Sequence, residues 1–212
     1  YASLHVVLEA GESIVTEAGA MMGMDPALQM ETNMQGGLFG AAARMLGGES
    51  VFLNTYTATG PAQRLDLAPS APGDLVEVPV NGTLLVQRGG YCACTPGIEL
   101  SAKWGGAKSF FAGEGLVMLS AVGQGTIWIA SYGAIEAIEV QGTYTVDTGH
   151  IVAFDSTLEY SLRKVGGMKS LFLSAEGIVC EFKGTGRLWI QTRNAPALAS
   201  FLSPYRRVES KN

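Results

Sequence analysis

The segment Gly105-Gly106-Ala107-Lys108-Ser109-Phe110-Phe111 returns downstream as Gly166-Gly167-Met168-Lys169-Ser170-Leu171-Phe172, and a weaker copy stands upstream as Gly47-Gly48-Glu49-Ser50-Val51-Phe52. Each copy is a glycine pair, a charged residue, a serine and a hydrophobic run. A single supersecondary unit built three times therefore constrains the fold more than any other feature of the chain.

The segments around the motif keep the same order. Val6-Val7-Leu8-Glu9-Ala10-Gly11, Val76 to Gly82 and Ile138-Glu139-Val140-Gln141-Gly142 are β-branched runs that stop at glycine, the signature of a strand and a turn. Asn81-Gly82 in particular predicts a hairpin, because both residues tolerate positive φ. Three further runs follow, Ile14 to Gly19, Leu84 to Gly89 and Tyr144 to Gly149. Beyond them Asp25 to Met30, Thr95 to Leu100 and Asp155 to Tyr160 alternate apolar and polar residues with period two, as one-sided strands do. Each unit closes on an alternating strand: Arg64 to Leu67, Thr126 to Ile129 and Arg187 to Ile190. Gly60-Pro61, Gly123 to Gly125 and Gly184 to Gly186 are expected to supply the turns before them.

The expected architecture is all-β, with units at 1–67, 68–130 and 131–194 at a spacing of about 60 residues. In it Phe52, Phe111 and Phe172 should be equivalent, as should Leu65, Ile127 and Leu188. Phe111, Phe172, Leu188 and either Trp128 or its neighbours Ile127 and Ile129 should be buried. The first unit is lengthened by an insertion over 31–48, where Leu38 to Leu46 reads as a short helix or an apolar loop. The tail over 195–212 begins behind Asn194 with an early proline, which predicts a terminal helix.

Charged residues make up only 16% of the chain, against the usual quarter, which points to extensive burial, part of it between subunits. A net charge of -5 argues against a nucleic-acid partner, since phosphate binding needs clustered Lys and Arg. No apolar run reaches the ~18 residues a membrane helix needs, and no basic-then-apolar leader precedes Leu4, so a cytoplasmic location is expected. The three cysteines are too few and oddly placed for a disulfide framework. Cys92-Ala93-Cys94 is too tight for a zinc knuckle; in an extended strand its two thiols share a face and read as buried hydrophobes.

Residues from about Ser50 to Asn194 resemble the altered-inheritance-of-mitochondria family of mitochondrial biogenesis proteins and their bacterial relatives. The residues that carry the resemblance are Leu67-Ala68-Pro69-Ser70-Ala71-Pro72-Gly73-Asp74, the two full glycine-pair motifs, and Val146 to Asp155. The resemblance implies a fold like the tryptophan RNA-binding attenuation protein, a short double-stranded β-helix or β-sandwich repeated three times. It implies no agreed activity, and no site residues come with it.

Asp147, His150 and Asp155 form the cluster with most chemical capacity, two carboxylates and an imidazole that suit metal binding or acid–base work. Ala20 and Gly90 stand opposite His150 in the repeat, and Glu17 and Gln87 opposite Asp147, which favours a structural turn. His5 has no partner visible in sequence. Lys108 and Lys169 follow glycine pairs, but the phosphate-loop pattern is absent and Glu49 replaces lysine in the first copy. No residue is assigned a catalytic, cofactor-binding or metal-binding role. The leading expectation is a non-enzymatic assembly or scaffold protein without a cofactor. It would self-associate as a homotrimeric ring and offer 31–48 to a protein or membrane surface. A ring that binds a small ligand or nucleic acid comes second, and a metal-dependent hydrolase built on Asp147 and His150 third. Tandem β units leave edge strands at both ends, and joining the last unit to the next chain's first removes them.

Overall fold

A computed structural model describes residues 1–33, 53–101, 118–164 and 178–206. Three groups of strands follow one another along the chain. The first holds β1 (Leu4–Leu8), β2 (Ser13–Glu17), β3 (Met21–Met24), β4 (Gln29–Asn33), β5 (Leu53–Thr57) and β6 (Gln63–Leu67). The second holds β7 (Leu75–Gln87), β8 (Tyr91–Cys94), β9 (Ile98–Ser101) and β10 (Met118–Ala130). The third holds β11 (Ile135–Asp147), β12 (Ile151–Asp155), β13 (Glu159–Lys164) and β14 (Ile178–Gln191), followed by helix α1 (Ala195–Leu202). All named strand pairs are antiparallel.

Asn81-Gly82 is not a hairpin. β7 runs unbroken through it and pairs with β10 in one register from Leu75↔Ala130 to Gln87↔Met118, with Gly82 opposite Gly123. The two glycines have φ of +117° and +141°, a region L side chains rarely enter. They bend the paired strands together without breaking the ladder. A hairpin would pair Val80 with Thr83; the long partner strand outcompetes that local turn. Gly123 to Gly125 and Gly184 to Gly186 likewise lie inside β10 and β14, not in turns before them. Only in the first group does the chain break, at Gly11 and at Gly60-Pro61.

The bend lets each long strand serve two sheets. The first half of β7 continues through β10, β8, β2 and β5 to β4. Its second half lies between β10 and β12, and this sheet runs from β11 through β14, β12, β7 and β10 to β9.

Leu65, Ile127 and Leu188 are all fully buried. Each lies between two strands: Leu65 faces Val6 and Met24, Ile127 faces Val78 and Cys94, and Leu188 faces Ile138 and Phe154. A register shift occurs at the corresponding place in all three, between Met21 and Gly23, beside Trp128–Ile129, and between Ile151 and Ala153. Around Phe154 the packing is aromatic, with Phe182 edge-on at 4.9 Å and Tyr160 at 5.2 Å, a geometry worth about 0.5–1.5 kcal/mol per pair beyond area burial. Ile129 and Trp189 are buried and Trp128 is half-buried. Phe52, Phe111, Phe172 and the short helix expected within 31–48 lie outside the described residues.

The linkers between groups form a ladder of their own. Ala2 N–H donates to Gly73 O, Gly133 N–H to Pro72 O, Asp74 N–H to Gly133 O, and Arg193 N–H to Tyr132 O. At its end Asn194 Oδ1 accepts from Ala197 N–H at 2.7 Å and Pro196 occupies the first turn, which starts α1 where expected.

Candidate functional site

Asp147, His150 and Asp155 do not converge on one centre. Asp147 Oδ1 accepts from Gly149 N–H at 2.8 Å, closing the tight turn Thr148–His150. His150 Nδ1 donates to Gln191 O at 2.6 Å, so its Nε2 is the acceptor for Asn194 Nδ2 at 3.1 Å. Both ring nitrogens are thus engaged in fastening the turn to the end of β14 and the cap of α1, and no lone pair is left for a metal. Asp155 belongs to a different contact. It receives Arg187 N–H at 2.8 Å, Nε at 3.0 Å and Nη2 at 3.1 Å, and this pairing pushes the Arg187 pKa up. The described residues include no group of three or more His, Cys, Asp or Glu side chains placed to hold a metal ion.

His5 does have partners, which sequence separation hid. Its Nδ1 lies 2.6 Å from Asp66 Oδ1, and Ser3 Oγ lies 3.1 Å from its Nε2. Asp66 sits opposite His5 across the β1–β6 ladder. Arg64 Nε donates to the same carboxylate oxygen at 2.7 Å, and the hydrogen bonds from Arg64 and then His5 hold the Asp66 carboxyl below its usual range. Serine, imidazole and carboxylate are in the order of a nucleophilic relay, yet Ser3 and His5 are exposed. Water there would replace the preorganised donors on which such chemistry depends. The cluster works as a polar clamp between β1 and β6.

Cys92, Cys94 and Cys180 are free and fully buried. Burial pushes the Cys92 and Cys180 thiols up to about 12 and Cys94 up to about 11, far from the thiolate character reactive cysteines need. The expectation that Cys92 and Cys94 share a face is corrected. The irregularity in β8 places Cys92 with Ala93 against Leu65 and Ala130, and Cys94 against Ile127 and Leu53; an extra residue in a bulge resets the alternation.

A groove of about 360 Å³ lies between the first halves of β7 and β11, with Val76, Glu77 and Pro79 on one side and Ala137, Arg187 and Trp189 on the other. The Arg187 guanidinium stands 4.9 Å from the Trp189 ring centroid. The glycine pairs, Lys108, Lys169 and the insertion after Asn33 lie outside the described residues.

The largest unexplained features among the described residues are two strands, one in the first group and one in the third. β3 pairs only with β6, and the second half of β11 only with β14, among the described strands. Their apolar side chains are open: Met21 is 42% exposed, Met22 58%, Met24 38% and Tyr144 41%. Every residue of β8 is buried, as are Ile151 to Phe154 of β12. The sequence signal for this site was the methionine-rich run of β3, which polar alternation does not explain.

No helix among the described residues is long and apolar enough to cross a membrane. An uncharacterized protein of Streptococcus pyogenes serotype M6 is 28% identical over 213 residues, covering 95% of this chain and 86% of that protein. The crystal structure of a Streptococcus pyogenes protein superposes with a TM-score of 0.79 at 27% identity, covering 96% of this chain and 94% of that one. The family described as mitochondrial biogenesis AIM24 matches residues 1–193, which contain every named strand and the Asp147 to Asp155 turn, and the chain belongs to that family.

Proposed function

We propose that the protein is a non-enzymatic assembly scaffold, built of three tandem attenuation-protein-like β units and closed by self-association into a homotrimeric ring. The observation that carries this reading is the pair of strand edges, β3 and the second half of β11, that no further strand among the described residues pairs, while their counterparts in the middle group are covered. An open, apolar strand edge recruits another chain unless charge, proline or a covering element blocks it. β3 carries neither charge nor proline, its sequence being Met-Met-Gly-Met, and no other described strand covers it. The three buried aliphatics with matching neighbours and matching register shifts support the tandem-unit description. The number of chains comes from the resemblance to ring-forming attenuation proteins.

A scaffold role also agrees with the side chains that chemistry would use. The imidazoles are fastened in structural bonds or exposed, and the thiols are buried. In the ring, the insertion over 31–48, whose first three residues complete β4, would be presented three times to a protein or membrane surface. A cytoplasmic location is part of the same reading. Light scattering on a size-exclusion column tests it: the expected mass is three times the 22.3 kDa of the chain, and a clean monomer at micromolar concentration would overturn it.

The groove beside Arg187 and Trp189 favours a second reading, a ring that binds a small anionic or aromatic ligand at each such groove. A rise in melting temperature with a defined ligand from an anion and aromatic-acid panel, abolished in Trp189→Ala, would support it. The chain's acidity weighs against nucleic acid.

A further inference from the structure

We infer that the second half of β11 in one copy pairs with β3 of the next, antiparallel, with Thr145 opposite Met24, Val146 opposite Gly23 and Tyr144 opposite Asp25. This rests on the self-associating scaffold reading and supplies its missing surface.

The register is read from the two junctions the chain already contains. Between the first and second groups β2 lies against β8, with Val15 opposite Cys94 and Thr16 opposite Ala93. Between the second and third, β7 lies against β12, with Leu85 opposite Phe154, Val86 opposite Ala153 and Leu84 opposite Asp155. Val15, Leu85 and Thr145 stand three residues before Ala18-Gly19, Arg88-Gly89 and Thr148-Gly149, the turns that end each strand's run. Cys94 and Phe154 are the residues directly opposite Ile127 and Leu188, and Met24 is the residue directly opposite Leu65. Both strands of a third junction therefore exist, at opposite ends of the chain, and the two internal junctions dictate how they meet.

The sheets make the same demand. Each internal junction joins two groups of three strands into a run of six within the 11-stranded sheet, one through β8 and β2 and the other through β12 and β7. What remains is one three-stranded group, β1-β6-β3, and another formed by the second half of β11, β14 and β13. β1 and β13 match strands that are edges in the six-stranded runs too. Only β3 and β11 match strands that lie inside them.

Burial and charge select a second copy as the occupant. Leu84 is 2% exposed and the matching Tyr144 41%, the difference that a covering strand makes. Along the same junctions, Val76 to Pro79 of β7 face Ala137, Arg187 and Trp189 across the groove. One step further on, the exposed Glu136 and Glu139 of β11 would face the exposed Arg64 of the next copy, whose guanidinium also holds Asp66. Such a contact is heterologous: the surface used on one chain differs from that on its neighbour, so it closes into a ring or runs on as a fibre. A twofold dimer through β3 alone would leave β11 open.

Cysteine pairs test both partner and register. Chains carrying Met24→Cys are mixed with chains carrying Thr145→Cys and oxidised; paired strands hold Cα atoms within disulfide reach, and a one-residue slip turns the side chains to opposite faces. The expected result is a covalent dimer of unlike chains, and for the doubly substituted chain a ladder that ends at the closed ring. Gly23→Cys with Val146→Cys is the second pair, for the case in which the first disturbs folding. Met24→Cys with Val146→Cys is the slipped control and should link at least tenfold more slowly. Light scattering on the same samples separates the two levels of the account. An assembled protein that links in the slipped control but in neither designed pair overturns the register alone. An assembled protein in which Met24→Cys links to itself, or no pair links, overturns the β3–β11 contact. A monomer overturns the scaffold reading with it.

Discussion

Replacing Gly73 by alanine is expected to destabilise the protein by about 2–3 kcal/mol, through the ladder of linkers and not through any core side chain. Gly73 is buried between β6 and β7, and an added Cβ would stand 2.1 Å from Ser131 O, 2.4 Å from Gly133 O and 2.7 Å from Gly133 N. All three are backbone atoms anchored by the ends of β10 and β11, so no side chain can rotate away. Relief requires the linkers to part. That breaks Asp74 N–H to Gly133 O at 2.9 Å and Gly133 N–H to Pro72 O at 3.1 Å, and misaligns Ala2 N–H to Gly73 O at 3.0 Å. At about 1 kcal/mol net for each bond the loss is about 3 kcal/mol, of which alanine's lower entropy in the unfolded chain returns about 0.4–1 kcal/mol. For a chain of this size that lowers the melting temperature by about 5–10 °C. The assay is thermal unfolding followed by circular dichroism at one fixed protein concentration, so that self-association cannot contribute to the difference in midpoint. Gly89→Ala is the control, since its Cβ would meet nothing within 4 Å. A Gly73→Ala protein that melts within about 2 °C of the control would refute the close linker packing.

Asp66→Asn should flatten the acid limb of stability. The Asp66 carboxyl is depressed in the folded protein below its ordinary 3.8, so its contribution is present above that value and is lost as pH falls through the folded one; melting temperatures measured from about pH 5 to about pH 2 should fall less steeply in the variant. A thiol reagent should find no reactive cysteine in the native protein and all three after denaturation, because Cys92, Cys94 and Cys180 are fully buried with raised pKa values. Asn194→Ala removes the cap of α1 and one partner of His150; a local loss of about 1 kcal/mol is expected, read as faster amide exchange in Ala197 and Leu198 with the β14 amides unchanged. Asp155→Ala should cost more than Arg187→Ala, by about 1 kcal/mol in chemical denaturation, since it strands both the Arg187 backbone N–H and its guanidinium.

The strand order was legible because each run of β-branched residues stops at a glycine and the runs recur in sequence. Local turn chemistry misleads wherever a strand has a long partner. Asn81-Gly82 carries a hairpin signal, but thirteen residues of β10 oppose β7, and that ladder outweighs one two-residue turn. The cysteine pair failed for a related reason: period two predicts a shared face only while the strand is regular, and the bulge in β8 is written in no single residue. His5 and Asp66 are 61 residues apart, so their pairing depends on the β1–β6 register, which no local pattern encodes. The end strands were half legible. The sequence pattern leads one to expect open edges, but which strands lack a described partner depends on the sheet order, and Met21, Met22 and Met24 look like core until their neighbours are known.

The central claim, that the two ends of the chain are mates, is tested most directly by single-particle imaging of the assembled protein. The expected particle is a closed ring with a threefold axis in which β3 of each copy lies beside β11 of the next. A twofold particle joined β3 to β3, or particles of one chain with both edges bare, would contradict it.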